Sequence, residues 1–163
     1  FRMFARYFVE LPLDAARVED IITRDPHSWM PGLAERANAK GDELLAEVGF
    51  GEEMRIARTV AIELSPVIRM PSRSVVPLRW RATGAAGLFP ELDADLEIAS
   101  LGSRTQLALS ARYVPPLGAL GRVIDRAMLS RVAEATIKDF LDRVADAIVE
   151  TSRRDALAAP PAG

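Results

Sequence analysis

The sequence predicts an α+β domain in which an antiparallel sheet of at least five strands carries one long helix across it. Three patterns lead there. Residues 92–113 alternate apolar and polar side chains about a central Gly102-Ser103, the mark of a hairpin. From Leu129 to Ile148 apolar residues recur at helical spacing over several turns. Met3 to Leu11 alternates again, giving a strand at the other end of the chain. The apolar side of a sheet and the apolar stripe of a helix each require cover, and each can supply it to the other.

The first strand spans Arg2 to Leu11, with apolar residues on both faces (Phe4 and Phe8 opposite Met3, Ala5, Tyr7 and Val9), so partial cover is expected on each side. Pro12 ends it. Asp14 then caps a short helix carrying Ala15, Val18, Ile21 and Ile22, and Asp25-Pro26 stops that helix. His27 to Gly41 reads as a loop and a second short helix (Leu33, Ala34, Ala37) punctuated by Gly41. Strands are expected over 42–50 and 55–64. Pro66 and Pro71 make 65–74 turn-like, with room for one short extra strand.

From Ser74 the pattern fixes a register. With Gly102-Ser103 as a two-residue turn, Leu101 faces Arg104, Ile98 faces Leu107, Leu96 faces Leu109, Ala94 faces Ala111 and Leu92 faces Tyr113. Centring the preceding hairpin on 84–89 sets Val76 against Ile98, Leu78 against Leu96 and Trp80 against Ala94. One face becomes apolar rows, with Trp80 over two alanines. The other becomes charged rows, Arg81–Asp93–Arg112 and Arg79–Asp95–Ser110. A slip of one residue would invert both faces. After Tyr113, Val-Pro-Pro-Leu-Gly-Ala-Leu-Gly121 ends the strand, since consecutive prolines cannot continue a ladder. A helix of about 50 Å then runs to about Glu150. Its early stripe, Leu117, Leu120, Ile124 and Met128, lies on nearly the opposite side from the stripe that begins at Leu129. Residues 1–152 form one domain, and 153–163 read as a flexible tail.

Bulk properties narrow the classes of function. The 163 residues carry a formal charge of −2, without the basic patch of a nucleic-acid binder. No apolar run reaches the roughly 18 residues of a spanning helix, and no signal peptide is visible. The absence of cysteine removes disulfides and thiolate metal sites and fits a reducing compartment, so a cytoplasmic location is expected. With a single histidine, His27, no metal site is expected, and nothing in the sequence calls for a cofactor. The glycines Gly118 and Gly121 open a helix outside any βαβ unit and read as a close-packed corner. Asp93, Asp95 and Glu97 repeat at period two but fall between arginines on the wet face, a structural arrangement.

The element order, together with 104–121 (Arg-Thr-Gln-Leu-Ala-Leu-Ser-Ala-Arg-Tyr-Val-Pro-Pro-Leu-Gly-Ala-Leu-Gly), Asp125-Arg126, Trp29-Met-Pro-Gly-Leu33 and Val76-Pro-Leu-Arg-Trp80, resembles the SRPBCC superfamily. This is the helix-grip fold of START lipid-transfer domains, birch-pollen-type allergens and polyketide cyclases, and the resemblance covers nearly the whole chain. It implies a curved antiparallel sheet of six or seven strands, two short helices near the N-terminus, a long C-terminal helix, and a ligand cavity between sheet and helix. The side chains expected to line that cavity are Arg58, Val60, Ile62, Leu78, Trp80, Leu96, Leu109, Tyr113, Met128 and Val132, with His27 and Trp29 at its mouth. No defined catalytic residues carry over. Arg58 shares the phase of Ile56, Val60 and Ile62, so an unbroken strand turns its guanidinium toward an apolar interior. There it must meet a ligand carboxylate, an internal acid or the rim.

The favoured expectation is a binding or carrier domain for a hydrophobic small molecule, a lipid, an aromatic or a polyketide-like compound. A cyclase/aromatase using the same cavity, with Arg58, Tyr113 or His27 handling protons, is the enzymatic alternative. A protein-interaction module using the apolar strip 117–128 is the third. A homodimer is left open.

Overall fold

In a computed structural model of the chain, the described residues are 2–45, 47, 59–82, 91–113 and 126–160. The elements are β1 (Met3–Leu11), α1 (Ala15–Thr23), a 3-10 turn (Pro26–Ser28), α2 (Met30–Leu45), β2 (Val60–Leu64), β3 (Ile68–Arg69), β4 (Arg73–Ala82), β5 (Glu91–Leu101), β6 (Arg104–Tyr113) and α3 (Arg126–Ala158). All strand pairs are antiparallel, in the order β1-β6-β5-β4-β2, with β3 also on β4. Both α2 and α3 pack over the inner face, so the expected α+β architecture is present.

The β5–β6 register is the expected one, from Leu101↔Arg104 through Leu92↔Tyr113. Gly102 takes φ +78, which glycine alone adopts without steric cost, and this pins the hairpin. The β4–β5 pairing differs from expectation by one full pleat. Val76 meets Leu96, Leu78 meets Ala94 and Trp80 meets Leu92, so it is Leu78 that faces the alanines. On the outer face Arg79, not Arg81, stands opposite Asp93, while Arg81 meets Glu91 and Pro77 meets Asp95. A slip of a whole pleat preserves both faces, so apolar patterning does not choose between the two registers. The connection over 83–90 falls outside the described residues.

Pro77 sits mid-strand without breaking the sheet. Its carbonyl accepts from the Ser65 N–H at 2.8 Å. In an antiparallel strand a residue's N–H and C=O point to the same side. The ring nitrogen therefore faces the gap between β2, which pairs from Leu78 onward, and β3, which pairs at Val75 and Ser74.

The helices depart from expectation in length. Asp14 caps α1 as anticipated, its Oδ1 accepting from the Arg17 N–H at 2.8 Å. Gly41, however, does not end α2, which continues to Leu45 and makes helix of the first residues of the expected strand 42–50. Tertiary contact explains the difference. A Cβ at Gly41 would lie 2.5 Å from Thr136 Oγ1, so glycine lets α2 approach α3 closely and packing overrides local propensity. Of the expected strand 55–64, residues 60–64 are strand, and the remainder lies outside the described residues.

Along α3 the stripe Leu129, Val132, Ala133, Thr136, Ile137, Phe140, Leu141, Val144 and Ile148 is buried, as the spacing required. The helix extends past Glu150 to Ala158, so residues 153–158 are helical and not part of a frayed tail. Asp155 explains this extension. Its carboxylate accepts from Arg17 and Arg24, each at 2.8 Å, and Arg24 also holds Asp20 at 2.7 Å, which fastens the end of α3 to α1. On β1 the expected cover of both sides is not found. Phe4 and Phe8 are 60% and 58% exposed, because both helices lie on the other face.

Gly41→Ala should lower stability by about 1–3 kcal/mol despite alanine's better helix propensity, because it overpacks the α2–α3 contact. Combining it with Thr136→Ala should recover most of the loss in urea melts, and a Gly41→Ala as stable as the parent would contradict the close approach. The arginines also hold the Asp155 carboxyl below its usual range. Its stabilising contribution is therefore present above the ordinary carboxylate pKa and is lost as pH falls through the lowered native value. Amide protection factors in residues 150–158, corrected for the intrinsic slowing of exchange at low pH, should fall on acidification, and Asp155→Asn should show lowered protection there already at neutral pH.

Candidate functional site

The inner face of the sheet is a set of rows running across the strands. One row is Ile62, Trp80, Leu92, Tyr113 and Met3. The next is Leu64, Leu78, Ala94, Ala111 and Ala5, and a third is Val76, Leu96, Leu109 and Tyr7. Trp80 and Tyr113 flank Leu92, two strands apart, or about 10 Å. The alanines of the second row keep the middle of the sheet low. Above the rows, Phe140 of α3 meets Trp80 edge-to-face, with ring centroids 5.2 Å apart and planes at 68°.

The structure brings most of the expected lining residues into this one apolar cluster. Val60, Ile62, Leu78, Trp80, Leu96, Leu109, Tyr113 and Val132 are all buried in it. Met128 is not among them. It is 36% exposed at the margin of the α3 stripe, about 100° around the helix from the buried Leu129. Arg58 lies outside the described residues, as do 117–125 of the apolar strip. His27 is exposed in the 3-10 turn between α1 and α2, while Trp29 is half-buried with its indole N–H donating to the Arg24 carbonyl at 3.5 Å.

The interior also holds polar groups. Tyr113 is only 2% exposed. Burial chiefly, and then the negative charge of Glu134, push its phenol up to about 12. It therefore stays protonated at neutral pH and can exchange hydrogen bonds without acting as a base. Asn38, Asp42 and Thr136 are buried as well. Thr136 Oγ1 donates to the Val132 carbonyl at 2.9 Å. The Val60 N–H, at the edge of β2, donates to Glu35 Oε1 at 3.2 Å and seats α2 against the sheet. Sequence reading missed Asp42 because it ended α2 at Gly41, and Asn38 because it counted only Leu33, Ala34 and Ala37 on the helix's apolar side. The signal that finds them is the continuation of the stripe Ala34, Ala37, Asn38, Gly41 at helical spacing.

The outer face is charged and paired, as expected for Asp93, Asp95 and Glu97. Arg79 holds Asp93 at 3.1 Å, Arg112 holds Asp95 at 3.2 Å, and Glu97 lies between Arg6 and Arg73 at 3.4 and 3.6 Å. An open furrow of about 430 Å³ crosses this face among Arg2, Glu63, Arg79, Asp93, Asp95 and Arg112. Such exposed pairs contribute little to stability. Among the described residues no group of three or more His, Cys, Asp or Glu side chains gathers to hold a metal. No helix there is long and apolar enough to cross a membrane.

No family model matches the chain, and no curated protein matches it. Solved structures do. A protein from Thermus thermophilus aligns over 92% of this chain and 99% of its own, at 12% identity and a TM-score of 0.51. A conserved protein from Geobacillus kaustophilus aligns over 91% and 97%, at 14% identity and a TM-score of 0.51. An aromatase/cyclase from a Streptomyces species aligns over 99% and 100%, at 16% identity and a TM-score of 0.45. At these identities the likeness to the first two is one of fold, and the fold is the helix-grip arrangement of an antiparallel sheet beneath a long C-terminal helix.

The raised Tyr113 pKa makes a prediction. Its phenol is easier to ionise in the unfolded chain, so its contribution to stability is complete below about pH 10 and is lost as pH rises toward about 12. Tyrosinate absorbance should show one of the two tyrosines titrating only near that value, and Tyr113→Phe should remove this step. A parent protein without a step near that value would contradict the burial.

Proposed function

We propose that this helix-grip domain binds an apolar small molecule between the inner face of its sheet and α3, as a carrier or receptor. The observation that carries the reading is the row Trp80–Leu92–Tyr113, where two large rings with polar atoms are turned inward beneath the terminal helix. Val60, Ile62, Leu78, Leu96, Leu109 and Val132 supply apolar wall, which gives affinity, and a few polar groups fix the orientation of the guest. Arg58 keeps its proposed role as an orienting cation, since in sequence it continues the alternation of the inward-facing Val60 and Ile62. His27 and Trp29 belong to the rim in this reading.

A second reading, turnover of the cyclase kind, draws on the buried polar side chains Asn38, Asp42, Thr136 and Tyr113. In it a neutral Tyr113 donates a hydrogen bond to a substrate carbonyl. Binding without turnover is preferred because a protonated phenol and an exposed His27 leave the described interior without an imidazole base.

Native mass spectrometry of gently purified protein should show a retained small molecule that organic solvent releases. The apolar probe 2-methoxynaphthalene should bind the emptied protein. Val132→Phe, which places a ring among the lining residues, should weaken that binding at least about tenfold, or ~1.4 kcal/mol, while the protein stays folded. A parent that retains no small molecule and takes up no probe would mean a solid interior, and the reading would fall.

A further inference from the structure

From the inner stripe of α2 we infer that Asn38 is the polar anchor of the interior and that the guest carries a hydrogen-bond donor, a hydroxyl or an N–H, held by the Asn38 side-chain carbonyl. The inference rests on the binding reading above and names the chemistry of what is bound.

Asn38 sits in the middle of the stripe Ala34, Ala37, Asn38, Gly41, positions that share one side of a helix. Ala34 and Ala37 are fully buried, and Gly41 touches Thr136 of α3, so this side faces inward. Glu35 holds the edge N–H of Val60 at 3.2 Å and fixes α2 beside β2, one turn before Asn38. The amide is only 5% exposed, and its Oδ1 is buried without a hydrogen-bond partner. A buried carbonyl left unpaired opposes folding, so such groups are rare unless a water or ligand completes them. Its neighbours on the stripe, Ala34, Ala37 and Gly41, are small, so they supply no polar side-chain atom to meet the amide. A donor on an otherwise apolar guest would satisfy this atom. A guest without one would leave it orphaned, and that difference is the basis of discrimination.

The test compares 2-naphthol, which has a hydroxyl donor, with 2-methoxynaphthalene, which has nearly the same ring surface and none. Fluorescence titrations are made on the parent, Asn38→Leu and Asn38→Ala. The parent should prefer 2-naphthol by about tenfold or more, while both variants should bind the two probes within about twofold of each other. Asn38→Leu should melt no lower than the parent, because it removes an unpaired polar group. A parent that treats the probes alike, or a preference that survives in Asn38→Leu and Asn38→Ala, would mean that the amide meets only water or nothing, and would overturn the assignment while leaving the binding reading intact. If neither probe binds the parent, the binding reading fails and the anchor fails with it.

Discussion

The contact of Trp80 with Phe140 is where the two halves of the molecule are locked together. Neither half can stand alone: the sheet has one apolar face, and α3 has one apolar stripe. Large aromatic side chains dominate such contacts because each removes much surface from water and prefers defined ring geometries. Trp80 can serve because its row places Leu92 beside it and Ile62 on the other side, so the indole has support across three strands. The alanine row alongside keeps the sheet low where the helix crosses. Much of the rest of the fold, including the seat of α2 and the burial of Tyr113, follows from α3 lying across these rows.

The molecule divides its chemistry between its two faces. The inner side is apolar with a few buried polar groups. The outer side carries ion pairs in cross-strand register, Arg79 with Asp93 and Arg112 with Asp95. These pairs sit in solvent and add little energy, but they make the inverted register costly, since a one-residue slip would bury charge. A strict alternation of this kind lets one sheet be wet and charged outside and apolar inside.

Much of this was legible in the sequence, for reasons that differ by element. Gly102-Ser103 set the β5–β6 register because a two-residue turn leaves no freedom. The β4–β5 register was not legible, since a whole-pleat slip leaves every face unchanged. The stripe of α3 was readable from Leu129 to Ile148, and its final turns were not, because Asp155 is held by Arg17 and Arg24, far away in sequence. Gly41 misled for a physical reason: a glycine that ends helices elsewhere is used here for close approach to Thr136. With α2 cut short, Asp42 could not be placed in the interior, and Asn38 was hidden by its polar type, whereas Trp80 and Tyr113 could be placed because strand alternation alone turned them inward.

The proline in β4 has a consequence beyond its own strand. An open sheet edge offers a row of free amide and carbonyl groups on which another chain can polymerise. On this side the edge is broken into a strand of five residues and one of two, with the Pro77 ring nitrogen facing the space between them. At the start of the longer piece the Val60 amide is already taken by Glu35. Among the described residues a passing strand would find no long uninterrupted ladder to join along this side, and that interruption works against fibril growth there.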